Sequence, residues 1–331
     1  MKDYKKAHET LNKISLGWNL GNHLDAHDKK YIISTNNNKS VEEIVNLWHN
    51  PIFNLQCFDE FKRHGINCVR IPVTWSNFLI IQNNKLSIRE DVFNYLKELI
   101  SSGISKEFII ILDMHHDDQT WLNIAATNQE FKKVKLQYIE IWKIIANEFK
   151  DYNENLIFEG MNEIIDRTDS ENHDWWGKKN ILFKRLNHLY KLFVKTVRNY
   201  SENNKNRTLM ISTYGAQIHH HALKKFKMVK DKNTIVDIHY YTRHNTIQHF
   251  EEKFAPTYKY LTTKNIPIIL GEIGTKKDCL TDFTIIETYL NFAKQHNVKC
   301  VLWDNGSSRS FINRETAQLS HKELVTYLKN Q

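Results

Sequence analysis

The chain has 331 residues, 41% hydrophobic and 25% charged, with a formal net charge of +8. This is the balance of a soluble globular protein, and no apolar stretch reaches the about 20 residues that a membrane-spanning helix needs. Acidic residues lie among the scattered lysines, so the positive excess reads as a solvated basic surface and not as the clustered footprint of a nucleic-acid binder.

The first nine residues, Met1-Lys-Asp-Tyr-Lys-Lys-Ala-His-Glu9, are charged and lack the apolar centre of a signal peptide. They fit either a cytosolic protein or a mature form whose leader has been removed. Beyond them, eight apolar runs punctuate the chain, at 14–20, 68–73, 108–114, 156–160, 208–213, 235–239, 268–272 and 299–303. Short runs rich in Ile, Leu, Val and Phe predict strands buried on both faces. Segments of helical spacing fall between most of them. They are predicted at 54–64, 90–100, 136–149, 181–197, 223–229 (short and weakly periodic), 250–263, 284–295 and 318–328.

Strand and helix in alternation predict a parallel α/β architecture. Eight such units point to a single (β/α)₈ barrel over residues 1–331. A doubly wound open sheet is the alternative, but no Gly-rich phosphate loop follows the first strand. Cys57, Cys68, Cys279 and Cys300 show no C-x-x-C spacing and are expected to be free thiols.

In a barrel the C-terminal strand ends converge on one face, where the active site sits. In chain order those ends deliver Asn19 and Asn22, Arg70, His115 and His116, Asn162 and Glu163, Tyr214, His239 with Tyr240 and Tyr241, Glu272, and Trp303 with Asp304 and Asn305. Such a ring of Arg, His, Glu, Tyr and Trp is a site and not an ordinary loop rim. Glu163 and Glu272 each end an apolar run, where a carboxylate is costly unless something pairs with it. A pair of carboxylates is what glycoside hydrolysis requires.

Several segments resemble glycoside hydrolase family 5. They are Gly17-Trp-Asn-Leu-Gly-Asn-His-Leu-Asp-Ala26, His64-Gly-Ile-Asn-Cys-Val-Arg-Ile-Pro-Val-Thr-Trp75, Leu112-Asp-Met-His-His116, Ile157-Phe-Glu-Gly-Met-Asn-Glu163, Asp237-Ile-His-Tyr-Tyr241, Leu270-Gly-Glu-Ile-Gly274 and Trp303-Asp-Asn-Gly306. They occur in the family's order, and Trp48-His-Asn-Pro51 is similar to its endoglucanase, lichenase and xyloglucanase branch. The resemblance implies a (β/α)₈ fold and retaining hydrolysis of β-linked glycans without a cofactor or metal. It implies Glu163 as acid/base and Glu272 as nucleophile. Arg70, His115, Asn162, His239, Tyr241 and Trp303 match its supporting positions. The chain departs from the family pattern at His23, usually Thr; at Ile164, usually Pro; and at Thr242-Arg-His244, where a Pro is usual nearby.

The chemistry of the residues agrees. Retention needs carboxyl groups about 5–5.5 Å apart. Arg70 and the Tyr241 hydroxyl are expected to stabilise an ionised Glu272, while a neighbouring carboxylate and partial burial favour neutral Glu163. Asn162 is expected to donate to a sugar 2-hydroxyl, and Trp303 to carry a pyranose ring. Asn22, His116 and Trp121 complete the expected substrate-binding set. Trp175 and Trp176 are further candidate stacking platforms, and His219-His-His221 is expected at the surface. Adjacent His115 and His116 raise a metal hydrolase, but neighbours on a strand face opposite ways and chelate one ion poorly.

The reading is a retaining endo-β-1,4-glucanase acting on a β-glucan polysaccharide or oligosaccharide. It is expected to be monomeric, without nucleic-acid or membrane partners, and secreted with its leader absent; a cytoplasmic place stays open. The alternatives are the same chemistry on mannan or xyloglucan, and a catalytically silent carbohydrate-binding barrel.

Overall fold

A computed structural model describes residues 3–28, 38–83, 85–169, 171–275 and 282–329. Cys279 lies outside them; Cys57, Cys68 and Cys300 are buried free thiols. Eight strands close into a parallel barrel: β1 (Leu16–Leu20), β2 (Ile66–Val73), β3 (Ile109–Met114), β4 (Leu156–Glu159), β5 (Leu209–Ser212), β6 (Thr234–Thr242), β7 (Ile268–Thr275) and β8 (Lys299–Asp304). Each pairs with its chain neighbours, and β1 pairs with β8 to close the ring. An open doubly wound sheet is thereby ruled out. Every residue of β1, β3, β4, β5 and β7 is buried. That is why these strands read as continuous apolar runs with no polar alternation.

Main helices on the outside include Glu90–Ser105, Asn128–Glu148, Asn180–Arg198, Ile247–Tyr260 and Phe283–His296. Asn128–Glu148 begins well before the predicted 136. Its true start is a capping box, in which the Thr127 hydroxyl accepts the Glu130 N–H and the Glu130 carboxylate accepts the Thr127 N–H. The weakly periodic 223–229 segment forms its helix earlier, at His220–Lys225, with the His219 ring accepting the Ala222 N–H. The predicted helix 318–328 is split. Gln318–Leu319 pairs antiparallel with Ile312–Asn313, and the helix proper is Lys322–Lys329.

Helix Lys5–Lys13, not predicted, carries Ala7 and Leu11 buried. Thr10 hydrogen-bonds Thr208 just before β5, and the Lys13 carbonyl accepts from Asn67 near the start of β2. The helix thus covers the N-terminal mouth of the barrel and leaves the opposite mouth open for the site.

Candidate active site

Inward-facing strand positions repeat every two residues, and three polar pairs exploit this: Asp113 with His115, Asp237 with His239, and His239 with Tyr241. At the centre lies Arg70, fully buried. Its Nε and Nη2 donate to the two oxygens of Glu159 at 2.7 and 2.8 Å, and Nη2 also reaches Asp113 at 2.9 Å and the Asn162 side-chain oxygen at 2.8 Å. Nη1 donates to Asn19 at 3.1 Å and to Glu272 Oε1 at 3.0 Å. Burial works against the Arg70 charge, but Asp113, Glu159 and Glu272 outweigh it and hold the guanidinium well above its usual range.

The second oxygen of Glu272 accepts the Tyr241 hydroxyl at 2.7 Å and lies 3.6 Å from His239 Nδ1. The same His239 nitrogen is 2.8 Å from Glu163 Oε1, and its other nitrogen is 2.7 Å from Asp237. Oxygens of Glu163 and Glu272 and the His239 nitrogen all lie within 4.8 Å of one another. Burial pushes Glu272 above the usual carboxylate value, while His239, Arg70 and the Tyr241 hydrogen bond act in the opposite sense. Burial opposes charge on His239 as well, yet Glu272 and Asp237 outweigh it and hold the imidazole well above 6.5. The surrounding carboxylates thus favour the protonated ring, the form that donates from both nitrogens, to Asp237 and to Glu163.

Glu163 does not end β4 as the run 156–160 predicts; the strand stops at Glu159. The next residues continue as a tied segment. The Gly160 and Asn162 N–H groups donate to Met210 and Met114 carbonyls, and the Ser212 hydroxyl donates to the Asn162 carbonyl. Gly160 has to be small, because a Cβ there would lie 2.9 Å from the Phe193 ring. Glu163 emerges with its side chain 23% exposed, against 6% for Glu272.

A cavity of about 890 Å³ opens above this network, lined by Glu163, Glu272, His115, His116, Asn162, His239, Tyr241 and Trp303. Trp303 stacks on His115 at 5.6 Å with 7° between the rings. Burial lowers His115 and His116 well below 6.5, which keeps them neutral hydrogen-bonding groups at pH 7. His115 Nδ1 is 2.6 Å from Asp113, and His116 packs against His27 and lies 4.0 Å from Asp25. Asp25, His115 and His116 also have ligand atoms within 4.8 Å of one another.

Trp175, Trp176 and His219 form another part of the wall. Trp176 is 65% exposed and packs on His219 at 4.8 Å. Asn22 and Trp121 lie outside the cavity wall. The Asn22 backbone turns at positive φ, its N–H held by Asp25, while the Trp121 indole donates to buried Asp117. The sequence reading missed Glu159, Asp113 and Asp237. The signal for the two aspartates was there, since each stands two residues before a selected histidine on the same strand face. Glu159 is betrayed only by a charge inside an apolar run. At the departures from the family pattern, His23 is buried and bonds the Tyr95 hydroxyl at 2.7 Å, Ile164 is buried, and His244 stacks on His249 at 3.8 Å.

Residues 24–309 match the family model "Cellulase (glycosyl hydrolase family 5)". The chain is 33% identical over 344 residues to "Endoglucanase B" of Neocallimastix patriciarum, covering 97% of this chain and 70% of that protein. It is 29% identical over 338 residues to "Endoglucanase A" of Clostridium longisporum, covering 94% of this chain but spanning only 63% of that protein's length. Among solved structures, it matches a GH5-4 broad specificity endoglucanase from Ruminococcus champanellensis with bound cellotriose. There the TM-score is 0.88 and the identity 29%, with 99% of both chains covered. It also matches a xyloglucan-specific endo-β-1,4-glucanase from a metagenomic library in complex with cellotriose. The TM-score is 0.87 and the identity 29%, with 99% of this chain and 100% of that chain covered.

Proposed function

Since the chain belongs to glycoside hydrolase family 5, we propose that it is a retaining endo-β-1,4-glucanase, with Glu163 as acid/base and Glu272 as nucleophile. The observation that carries this reading is the gap between the two carboxylates, whose nearest oxygens lie within 4.8 Å. Direct displacement at a ring carbon needs such a gap, whereas an intervening water needs about 6.5–9.5 Å.

The Glu163 proton passes to the leaving oxygen as Glu272 attacks the anomeric carbon. Arg70 and Tyr241 engage the two Glu272 oxygens separately and hold the attacking group in one orientation. The Asn162 oxygen is taken by Arg70 and its amide nitrogen lies 3.4 Å from His115 Nε2; the second amide hydrogen donates toward the sugar, where a 2-hydroxyl bond strengthens in the transition state. His239 occupies one Glu163 oxygen, which leaves the other to carry the transferred proton. Once Glu272 is esterified, Glu163 takes a proton from water and the ester is hydrolysed with overall retention. Trp303, lining the cavity beside both carboxylates, supplies an apolar face for a pyranose ring.

We assign residues 1–331 to one catalytic unit, acting as a monomer on a β-glucan polymer. A polymer of that size is met outside the cell, which favours an exported enzyme; among the described residues no helix is long and apolar enough to cross a membrane. Xyloglucan is the second reading, favoured by the likeness to the xyloglucan-specific structure. A panel of carboxymethyl-cellulose, mixed-linkage β-glucan, xyloglucan and mannan tests the reading. Release of short oligosaccharides from the β-1,4-glucans is the expected result. Cleavage of mannan alone, or of nothing, contradicts it.

A further inference from the structure

In the pairing of β6 with β7, Ile238 faces Leu270 and His239 faces Glu272, so Gly271 has no partner and forms a bulge immediately before the nucleophile. A bulge re-aims the side chain beside it and leaves its own backbone groups outside the ladder. Both groups of Gly271 are satisfied by buried side chains. Its N–H donates to Asp237 Oδ1 at 2.8 Å, and its carbonyl accepts from Asn19 at 2.9 Å. The fit leaves no room for a side chain, since a Cβ on Gly271 would lie 2.1 Å from Asp237 Oδ1. The other oxygen of Asp237 takes His239 Nε2 at 2.7 Å, and the opposite nitrogen of that ring is the one 2.8 Å from Glu163.

We propose that Asp237 is a positioning residue for both catalytic carboxylates: one oxygen holds the Gly271 bulge that aims Glu272, and the other orients His239 toward Glu163. This rests on the catalytic roles proposed above. Asp237 is fully buried and cannot touch substrate, so it acts only through its two neighbours. The groups facing His239 are Asp237 on its own strand, Glu272 on β7, Glu163 and Glu159 from β4 and its extension, and His115 from β3. Arg70 joins Glu159 to Glu272 behind them. The surrounding carboxylates favour a ring with a proton on each nitrogen, and such a ring donates to Asp237 and Glu163 at once.

Asp237→Asn separates the two tasks. The amide oxygen still accepts the Gly271 N–H, but the amide nitrogen cannot accept from His239 Nε2. The ring must therefore drop that proton and keep only the one facing Glu163. Imidazole ¹⁵N NMR at pH 7 is expected to show two protonated nitrogens at His239 in the wild type and one in the variant. The rate on β-glucan should fall on the order of 10²-fold, with the alkaline limb of kcat/KM moved to higher pH, because a neutral ring no longer favours the ionised form of the acid Glu163. The formation of glycosyl-enzyme from an aryl cellobioside with an activated leaving group should fall much less. Two protonated nitrogens in the variant, or a pH profile that coincides with the wild type, overturn the proposal. If Asp237→Asn does not fold, Gly271→Ala carries the test. It displaces Oδ1 and should slow both substrates by a similar factor, whereas undiminished rates on both refute the idea. The NMR comparison needs no substrate, so it judges Asp237 separately; failure of the wild type on every β-glucan counts instead against the functional reading.

Discussion

Two carboxylates of different surroundings divide the work at the level of single residues. Glu272→Ala removes the attacking group and should lower turnover of soluble β-glucan by about 10⁴-fold or more, measured as reducing-sugar release; near-normal turnover would reject its role. Glu163→Ala should cost about 10²–10⁴-fold on the polymer, but far less in the first step on a substrate whose leaving group needs no proton. Equal losses on both would contradict an acid role. Glu272 attacks only when ionised, and burial raises its folded pKa above 4.5. More base is then needed to ionise it, so the acid limb of kcat/KM should have its midpoint above 4.5. A midpoint at or below that value would show that the Arg70, His239 and Tyr241 contacts outweigh burial. Arg70→Met leaves Glu159 and Asp113 buried without their cation and should destabilise the fold by about 3–5 kcal/mol in urea titration. A loss of activity at unchanged stability would make Arg70 purely a substrate-site group.

Elements were legible in proportion to their burial. The eight strands could be read because each is a short apolar run closed on both faces. The hairpin Leu79–Gln82 with Lys85–Ile88 and helix Lys5–Lys13 were not seen. Both are short: the hairpin strands have four residues each, and the helix, mostly polar, takes its stability from the barrel it leans on and not from its own pattern. The early start of helix Asn128–Glu148 was legible in Thr127-x-x-Glu130, a local signal that apolar periodicity ignores. Thr127→Ala should cost about 1 kcal/mol of stability with kcat/KM unchanged, by thermal melting and assay together. An activity loss of the same size would mean that the helix start also shapes the site. The site showed the same division. Residues facing the open mouth were found, while Asp113, Glu159 and Asp237 each precede a found residue by two to four positions, where a charge is visible in sequence but its partner across the barrel is not.

Across the whole molecule the two barrel mouths have different tasks. Helix Lys5–Lys13 covers one, and the carboxylate network with its cavity occupies the other. A chain starting at residue 14 should therefore melt at a lower temperature and keep the shape of its pH–rate profile; a changed profile would mean that the ends are coupled. The central claim is that Glu272 forms a covalent bond to the sugar while Glu163 protonates the leaving group. The most direct measurement is mass spectrometry of the protein after reaction with an activated 2-deoxy-2-fluoro-cellobioside. The account predicts one added disaccharide, carried on the peptide that contains Glu272. A label on another residue, or none with an active protein, would contradict it.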